Sequence, residues 1–383
     1  TAQIPASQFE PFGLMADVEN VGNETAENVR LLAIIQNEVG EPVYSDTLFI
    51  GEMGPGEIIE NTPFDKLVEF EPLEGNYKGI YRIESDSSDG FPTDNEIIWN
   101  FNLTRDLFAK EFEPCDGTGF LPNDEFIYEL GNCYYVAKGK DLAATHVSFQ
   151  FIPHSSIINH TVFTNFYRWN GDTNGDFKAN PGEYNFLAVN EYKITGGEEG
   201  LITVPIDVEK DSIPLEDDNF YFVTVNLSNP SQDKFFVVSA TEKLNYNPSF
   251  FLSYELDKGD LKSFPMLKPG QSGDFDAFGF GLDRIPVVRL HVQSTDDTSS
   301  VFEPRKEILE LDLFPNPTIN QINISVPEDL IFKSGNLEIS DNSGKIVSSR
   351  QFERINVKQL PINVAFLPEG SYILRLISKE KIF

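Results

Sequence analysis

Short apolar runs that alternate with polar residues at a period of two, each stopped by Gly, Pro, Asn or Ser, recur along this 383-residue chain. In Ile97-Ile98-Trp99-Asn100-Phe101-Asn102-Leu103, the residues Ile97, Trp99, Phe101 and Leu103 share one face of an extended strand. In residues 220–227, Tyr221, Val223, Val225 and Leu227 take one face while Phe220, Phe222, Thr224 and Asn226 take the other. Aromatics on both sides predict a central strand, covered on each face. The 33 Phe and 13 Tyr fall in runs of this kind, and windows with helical periodicity are few. The expected fold class is therefore all-β, built as three consecutive β-sandwich modules.

Punctuation and charge divide the chain. Residues 1–106 show five strand-like runs at the spacing of a sandwich, and residues 107–296 show at least eight, which suits a larger jelly-roll-like sandwich. Residues 297–309 read as a polar linker, and residues 310–383 as a small all-β unit. Of 29 basic and 61 acidic groups, the last 74 residues hold 8 and 9, so the net −32 rests almost wholly on residues 1–309. Phosphate repulsion by that field argues against a nucleic-acid partner. Cation binding is its converse, and the plainer reading is solubility and protection of strand edges.

Cys115 and Cys133 are the two cysteines, and in an exported chain they suggest a disulfide, with two reduced core thiols as the other reading. No apolar run approaches the roughly 20 residues of a membrane-spanning helix. The chain opens at Thr1 without Met, which suggests a processed or truncated start.

The sharpest chemical constellation is Asp172-Thr173-Asn174-Gly175-Asp176-Phe177-Lys178-Ala179-Asn180-Pro181-Gly182-Glu183. With Asp172 as position 1, Asn174, Asp176, the Lys178 carbonyl, Asn180 and Glu183 fall at 3, 5, 7, 9 and 12, the oxygen-ligand spacing of a calcium loop. Position 6, where the turn calls for Gly, is Phe177, and the flanking runs are strands. The loop resembles calcium loops inserted in β-modules, with calcium in a structural role; a loop held by Asx-turns without metal is the alternative. Catalytic signatures are not found. The four histidines, His146, His154, His160 and His291, form no H-E-x-x-H, Gly270-Gln271-Ser272-Gly273 is not a nucleophile elbow, and no carboxylate pair stands out. Trp169 reads as a packing residue before it reads as a sugar-stacking one, and His291 as a strand-surface residue.

Two resemblances add to this. Ala16-Asp17-Val18-Glu19-Asn20-Val21-Gly22-Asn23, Gly54-Pro55-Gly56, Gly75-Asn76-Tyr77 and Thr93-Asp94-Asn95-Glu96 resemble the CARDB-type immunoglobulin-like module of bacterial surface proteins, which implies a spacer or adhesion element. The C-terminal unit, with Pro315-Asn316-Pro317, Asp341 with Gly344-Lys345, and Gly370-Ser371-Tyr372 with Arg375, resembles the type A sorting domain carried by substrates of the type IX secretion system of Bacteroidetes. That resemblance implies a small Ig-like fold, transit through the periplasm, the secretion machinery as partner, and a secreted or outer-surface destination. The expected function is adhesion or an extracellular structure, without catalysis, with surface glycans or copies of itself as partners. The alternative is a set of non-catalytic, carbohydrate-binding modules attached to an exported hydrolase.

Overall fold

The computed structural model describes residues 2–86, 90–112, 118–120, 129–198, 200–227, 236–241, 244–246, 265–268, 273–279, 283–295, 307–308, 313–326, 335–341, 346–352, 357–368, 370, 372–377 and 381–382. Among the described residues the protein is nearly all β, with 56% strand and 2% helix. It forms two compact units, Thr1–Ser300 and Val301–Phe383.

Two apolar cores lie inside the first unit. The first core is enclosed by β1 (Gln3–Pro5), β2 (Met15–Glu19), β3 (Ala26–Gln36), β4 (Pro42–Met53), β5 (Ile58–Pro63), β6 (Gly75–Glu84) and β7 (Glu96–Thr104). They pair as a five-stranded sheet, β1-β7-β6-β3-β4, and a two-stranded one, β2-β5. Alternation along β3 buries Val29, Leu31, Ala33 and Ile35, which pack with Tyr77, Leu103, Trp99 and Phe101 as the period of two requires. Gly79 sits across from Trp99, where an added Cβ would lie 2.0 Å from the indole, so only glycine leaves room for the ring.

The second core follows, with β8 (Leu107–Phe108), β9 (Thr118–Phe120), β10 (Glu129–Val136), β11 (Leu142–Phe149), β12 (Thr161–Trp169), β13 (Lys178–Ala179), β14 (Tyr184–Lys193), β15 (Ile202–Pro205), β16 (Ile213–Pro214), β17 (Asn219–Leu227), β18 (Val238–Thr241), β19 (Pro265–Lys268), β20 (Phe275–Asp276), β21 (Ile285–Pro286) and β22 (Val288–Ser294). A seven-stranded sheet, β13-β20-β19-β10-β17-β12-β14, and a five-stranded one, β15-β11-β22-β8 with β16 on β11, supply its walls. Phe149, Phe166, Tyr221, Val223 and Leu290 fill the space between. Asn132 and Tyr134 of β10 reach across it, donating to the carbonyls of Pro286 and Val288 at 2.7–2.9 Å, so opposing backbone takes up the Asn132 amide and the Tyr134 hydroxyl. As expected, β17 is central and covered on both sides: its outer face joins a smaller cluster of Cys133, Tyr167, Trp169, Phe222, Met266 and Phe275.

The N-terminal strand ties the two cores together. β1 runs parallel to β7, Gln3 exchanges two backbone hydrogen bonds with Ala109 at 2.9 Å, and Gln3 Nε2 donates to the Glu111 carbonyl at 2.7 Å. Gln8 does the same at Lys138, donating to its carbonyl at 2.7 Å and accepting from its N–H at 3.0 Å.

In the second unit, β23 (Glu307–Ile308), β24 (Leu313–Phe314), β25 (Gln321–Ser325), β26 (Gly335–Asp341), β27 (Ile346–Phe352), β28 (Gln359–Asn363), β29 (Tyr372–Ile377) and β30 (Lys381–Ile382) form sheets β23-β30-β29-β26-β27 and β24-β25-β28. Ile322, Ile324, Val326, Leu337, Ile339, Leu360 and Ile362 are its buried core. Of the linker expected at 297–309, only 307–308 are among the described residues.

Candidate functional site

Loop 170–183 leaves the end of β12 and returns at the start of β14. Asn170 N–H donates to the Glu183 carbonyl at 2.7 Å and closes its base. Asp172 accepts from the N–H groups of Gly175 at 2.7 Å, Asp176 at 3.2 Å and Phe177 at 2.8 Å, an Asx-type turn that curls the chain round the first carboxylate. Asp176 accepts from Lys178 N–H at 3.0 Å and from the amides of Asn174 and Asn180 at 3.0–3.2 Å. Glu183 accepts from Thr173, through N–H and hydroxyl, and from Asn180 N–H at 2.9 Å. Hydrogen bonds led by the Asn180 amide hold Asp176 below the usual carboxylate range; at Glu183, burial pushes upward but the Thr173 and Asn180 donors outweigh it.

The six residues predicted as ligands thus share one loop. Phe177, at the position where glycine is called for, adopts φ +58°, the left-handed backbone that glycine supplies without strain. Phe177 is held there by its carbonyl, which accepts from Ala277 N–H at 3.0 Å, and by ring contact with Phe278 at 5.5 Å. The Asn174 and Asn180 amides turn Nδ2 toward Asp176, and Asn174 Oδ1 accepts from the Asp176 N–H at 2.9 Å, so these side chains are engaged within the loop. Among the described residues no group of three or more His, Cys, Asp or Glu gathers as a metal centre.

Cys133 is fully buried on β10, and Cys115 lies outside the described residues. Trp169 is buried at 2% exposure against Phe220, a packing residue with no face left for a sugar. Of the sorting-motif residues, Pro315, Asn316 and Pro317 follow β24, Asp341 pairs with Tyr372 between β26 and β29, Glu338 pairs with Arg375, and Tyr372 hydroxyl donates to the Pro368 carbonyl at 3.0 Å near Gly370. Gly344 and Lys345 lie outside the described residues.

Two buried polar groupings and one half-buried one escaped sequence reasoning. Arg289 and Glu111 form a two-pronged ion pair at 2.8 and 2.7 Å, with side chains 7% and 0% exposed. Beside Glu111, Lys110 is wholly buried over the Tyr246 ring at 5.2 Å, and burial drives its ammonium well below the ordinary lysine range. On β10, Glu129 accepts from Asn165 and Tyr167 at 2.8 Å and from Thr224.

The third grouping corrects the reading of His291 as a plain surface residue. His291 pairs with His146 across β11 and β22, and its Nε2 lies 2.6 Å from Ser148 Oγ, itself 2.7 Å from Thr203 Oγ1. Burial pushes His146 down to about 4 from 6.5, and burial, then the His146 and Arg289 charges, push His291 to about 3. Below pH 6.5 the unfolded chain takes up protons at both rings while the folded chain refuses them. Stability present above that pH is therefore expected to fall between pH 6.5 and about 4. Urea midpoints at pH 7 and 5 check this, with a smaller drop in His146→Gln.

Residues 312–383 match the family described as a secretion system C-terminal sorting domain. No curated protein matches the chain. Among solved structures, a tetra-tandem repeat from the extending region of a large adhesion protein is 9% identical, with 97% of this chain and 73% of that one covered, at a TM-score of 0.16. A biofilm-associated protein BSP domain is 10% identical over 97% and 77%, at 0.17, and a Faecalibacterium prausnitzii β-glucuronidase is 12% identical over 66% and 36%, at 0.17. At such scores none of these carries an argument. The sorting domain does: it addresses the chain to the type IX secretion machinery and to a secreted or cell-surface location. No helix among the described residues is long and apolar enough to cross a membrane.

Proposed function

We propose that this protein is a displayed β-module, without catalytic activity, that works in adhesion or as a subunit of an extracellular structure. The observation that carries the reading is the sorting domain at 312–383 behind a strongly acidic unit whose two cores are joined by β1. A body of that kind suits a spacer that holds its shape outside the cell, and the CARDB-like residues of its first part agree with such a role. Surface glycans or further copies of the chain are its partners. Light scattering and a glycan array on the purified chain test this: self-association or glycan binding supports it, and a monomer that binds neither glycans nor cells overturns it.

A second reading, carbohydrate-binding modules of an exported hydrolase, draws support from the outer face of the seven-stranded sheet. There Phe186, 56% exposed, stands 5.5 Å from the Tyr167 ring. If that reading holds, Phe186→Ala removes the glycan signal.

Calcium belongs to the proposal in a structural role, with Asp172, Asn174, Asp176, Asn180, Glu183 and the Lys178 carbonyl as ligands. The left-handed Phe177 backbone supports it. Calcium at about a hundred times its dissociation constant is expected to stabilise the chain by about 2.7 kcal/mol. Calorimetry and thermal melting read the effect, and Asp176→Ala together with Glu183→Gln removes it; a melt unchanged by calcium and by chelator refutes the assignment.

A further inference from the structure

We infer that the outer face of the sheet β1-β7-β6-β3-β4 is a self-docking surface, on which a second copy of the chain lies face to face in a symmetric dimer; this rests on the reading of further copies as partners. A two-fold dimer of this kind uses the same patch on both subunits.

The ladder lays an apolar row across that face. Ile34 pairs with Ile80, and Ile80 with Ile98, across β3, β6 and β7. Alternation turns these side chains away from the core that Leu31, Ala33 and Ile35 help to fill. Leu32 stands in the next row, opposite Arg82, and Phe49 of β4 stands opposite Arg30. Ile80 is closed off by its neighbours at 4% exposure, whereas Ile98 is 50% and Phe49 77% exposed. The four long strands, β4, β3, β6 and β7, lie about 4.8 Å apart and run about 30 Å or more, so each copy offers roughly 600 Å². The pair buries roughly 1,200 Å², enough for a stable interface at the lower end of the range.

Charge singles out the same face. Arg82 meets Glu96 at 2.7 Å, Arg30 lies 3.7 Å from Glu84 and 3.6 Å from Asp86 at the rim, and Lys78 adds a third positive charge. Residues 1–106 hold 5 basic and 21 acidic groups; three of each balance on this face, which leaves 2 basic and 18 acidic groups for the rest. Copies that met through the acidic remainder would repel one another. Through this face they meet without net charge, and the Arg82–Glu96 pair of one copy finds both signs opposite it on the other. Two such faces stack about 10 Å apart, as the sheets of a sandwich do.

The test is sedimentation equilibrium of the full chain at about 10 mM and about 1 M salt, where the screening length is about 30 and about 3 Å. A monomer–dimer equilibrium is expected, tighter at high salt because the acidic remainder of each copy is then screened. Phe49→Glu and Ile98→Lys each weaken the dimer at least about tenfold. Ile58→Glu, at a 54% exposed position on the β2-β5 ribbon, leaves it unchanged. All three positions are exposed, so each variant is expected to melt with the parent, which thermal melts check. Assemblies larger than two, or a dimer untouched by both Phe49→Glu and Ile98→Lys, overturn the inference while copies remain partners by some other face. A chain that stays monomeric at both salts overturns the inference and self-association together, and leaves glycans as the partner.

Discussion

Arg289→Ala is expected to cost about 3–5 kcal/mol, because it leaves the Glu111 carboxylate buried without its partner. The size follows from burial rather than from attraction. An exposed pair such as Arg82 with Glu96, at 2.7 Å but 42% and 31% exposed, is worth about 1 kcal/mol or less, because water screens it and both side chains lose freedom. At Glu111, water does not reach the charge. Replacing both partners together, Arg289→Met with Glu111→Leu, is accordingly expected to be close to neutral. Urea unfolding of the single and double variants separates the two cases: a single variant as stable as the parent shows that the pair is dispensable. The Glu111 backbone also accepts the Gln3 side chain, so loss of the single partner is expected to loosen the hold of β1.

Trp169→Ala is the second large effect, again about 3–5 kcal/mol, from lost apolar contact and the cavity left behind. Trp169 ends β12, its ring packs on Phe220 at 5.5 Å, and the next residue, Asn170, closes the acidic loop on Glu183. Calcium affinity is expected to fall along with stability. A Trp169→Phe variant retains most of the ring contact and is expected to lose less than half as much; equal losses in the two would place the cost in something other than packing. Thermal melts with and without calcium measure both.

What could be read in the sequence was what the backbone decides locally. Alternation placed a central strand at residues 220–227, within one residue of β17, because a strand covered on both faces carries apolar or aromatic side chains on each. The acidic loop could be read as well, since its donors lie within twelve consecutive residues. β1 and β5 were not foreseen. Gln3-Ile4-Pro5 is too short to show a period, and it is a strand only because β7 lies beside it, about a hundred residues later in the chain. The His146–His291 pairing was hidden for the same reason, with the partners 145 positions apart and a register shift beside one of them. Arg289 with Glu111 adds a further lesson. Each looks like an ordinary surface charge in sequence, and folding alone makes them a buried pair.

The direction of β1 decides how the first unit answers a pull along the chain. β1 runs parallel to β7, the strand that leads into the second core. Tension applied at the N-terminus draws β1 one way along its axis, while tension applied downstream draws β7 the opposite way. The hydrogen bonds between them are then loaded together in shear, and none can open before the others. Had the strands been antiparallel, the same pull would have peeled them one bond at a time. Release of β1 from β7 is thus expected to require a single high-force event, which pulling on the two ends of the chain measures.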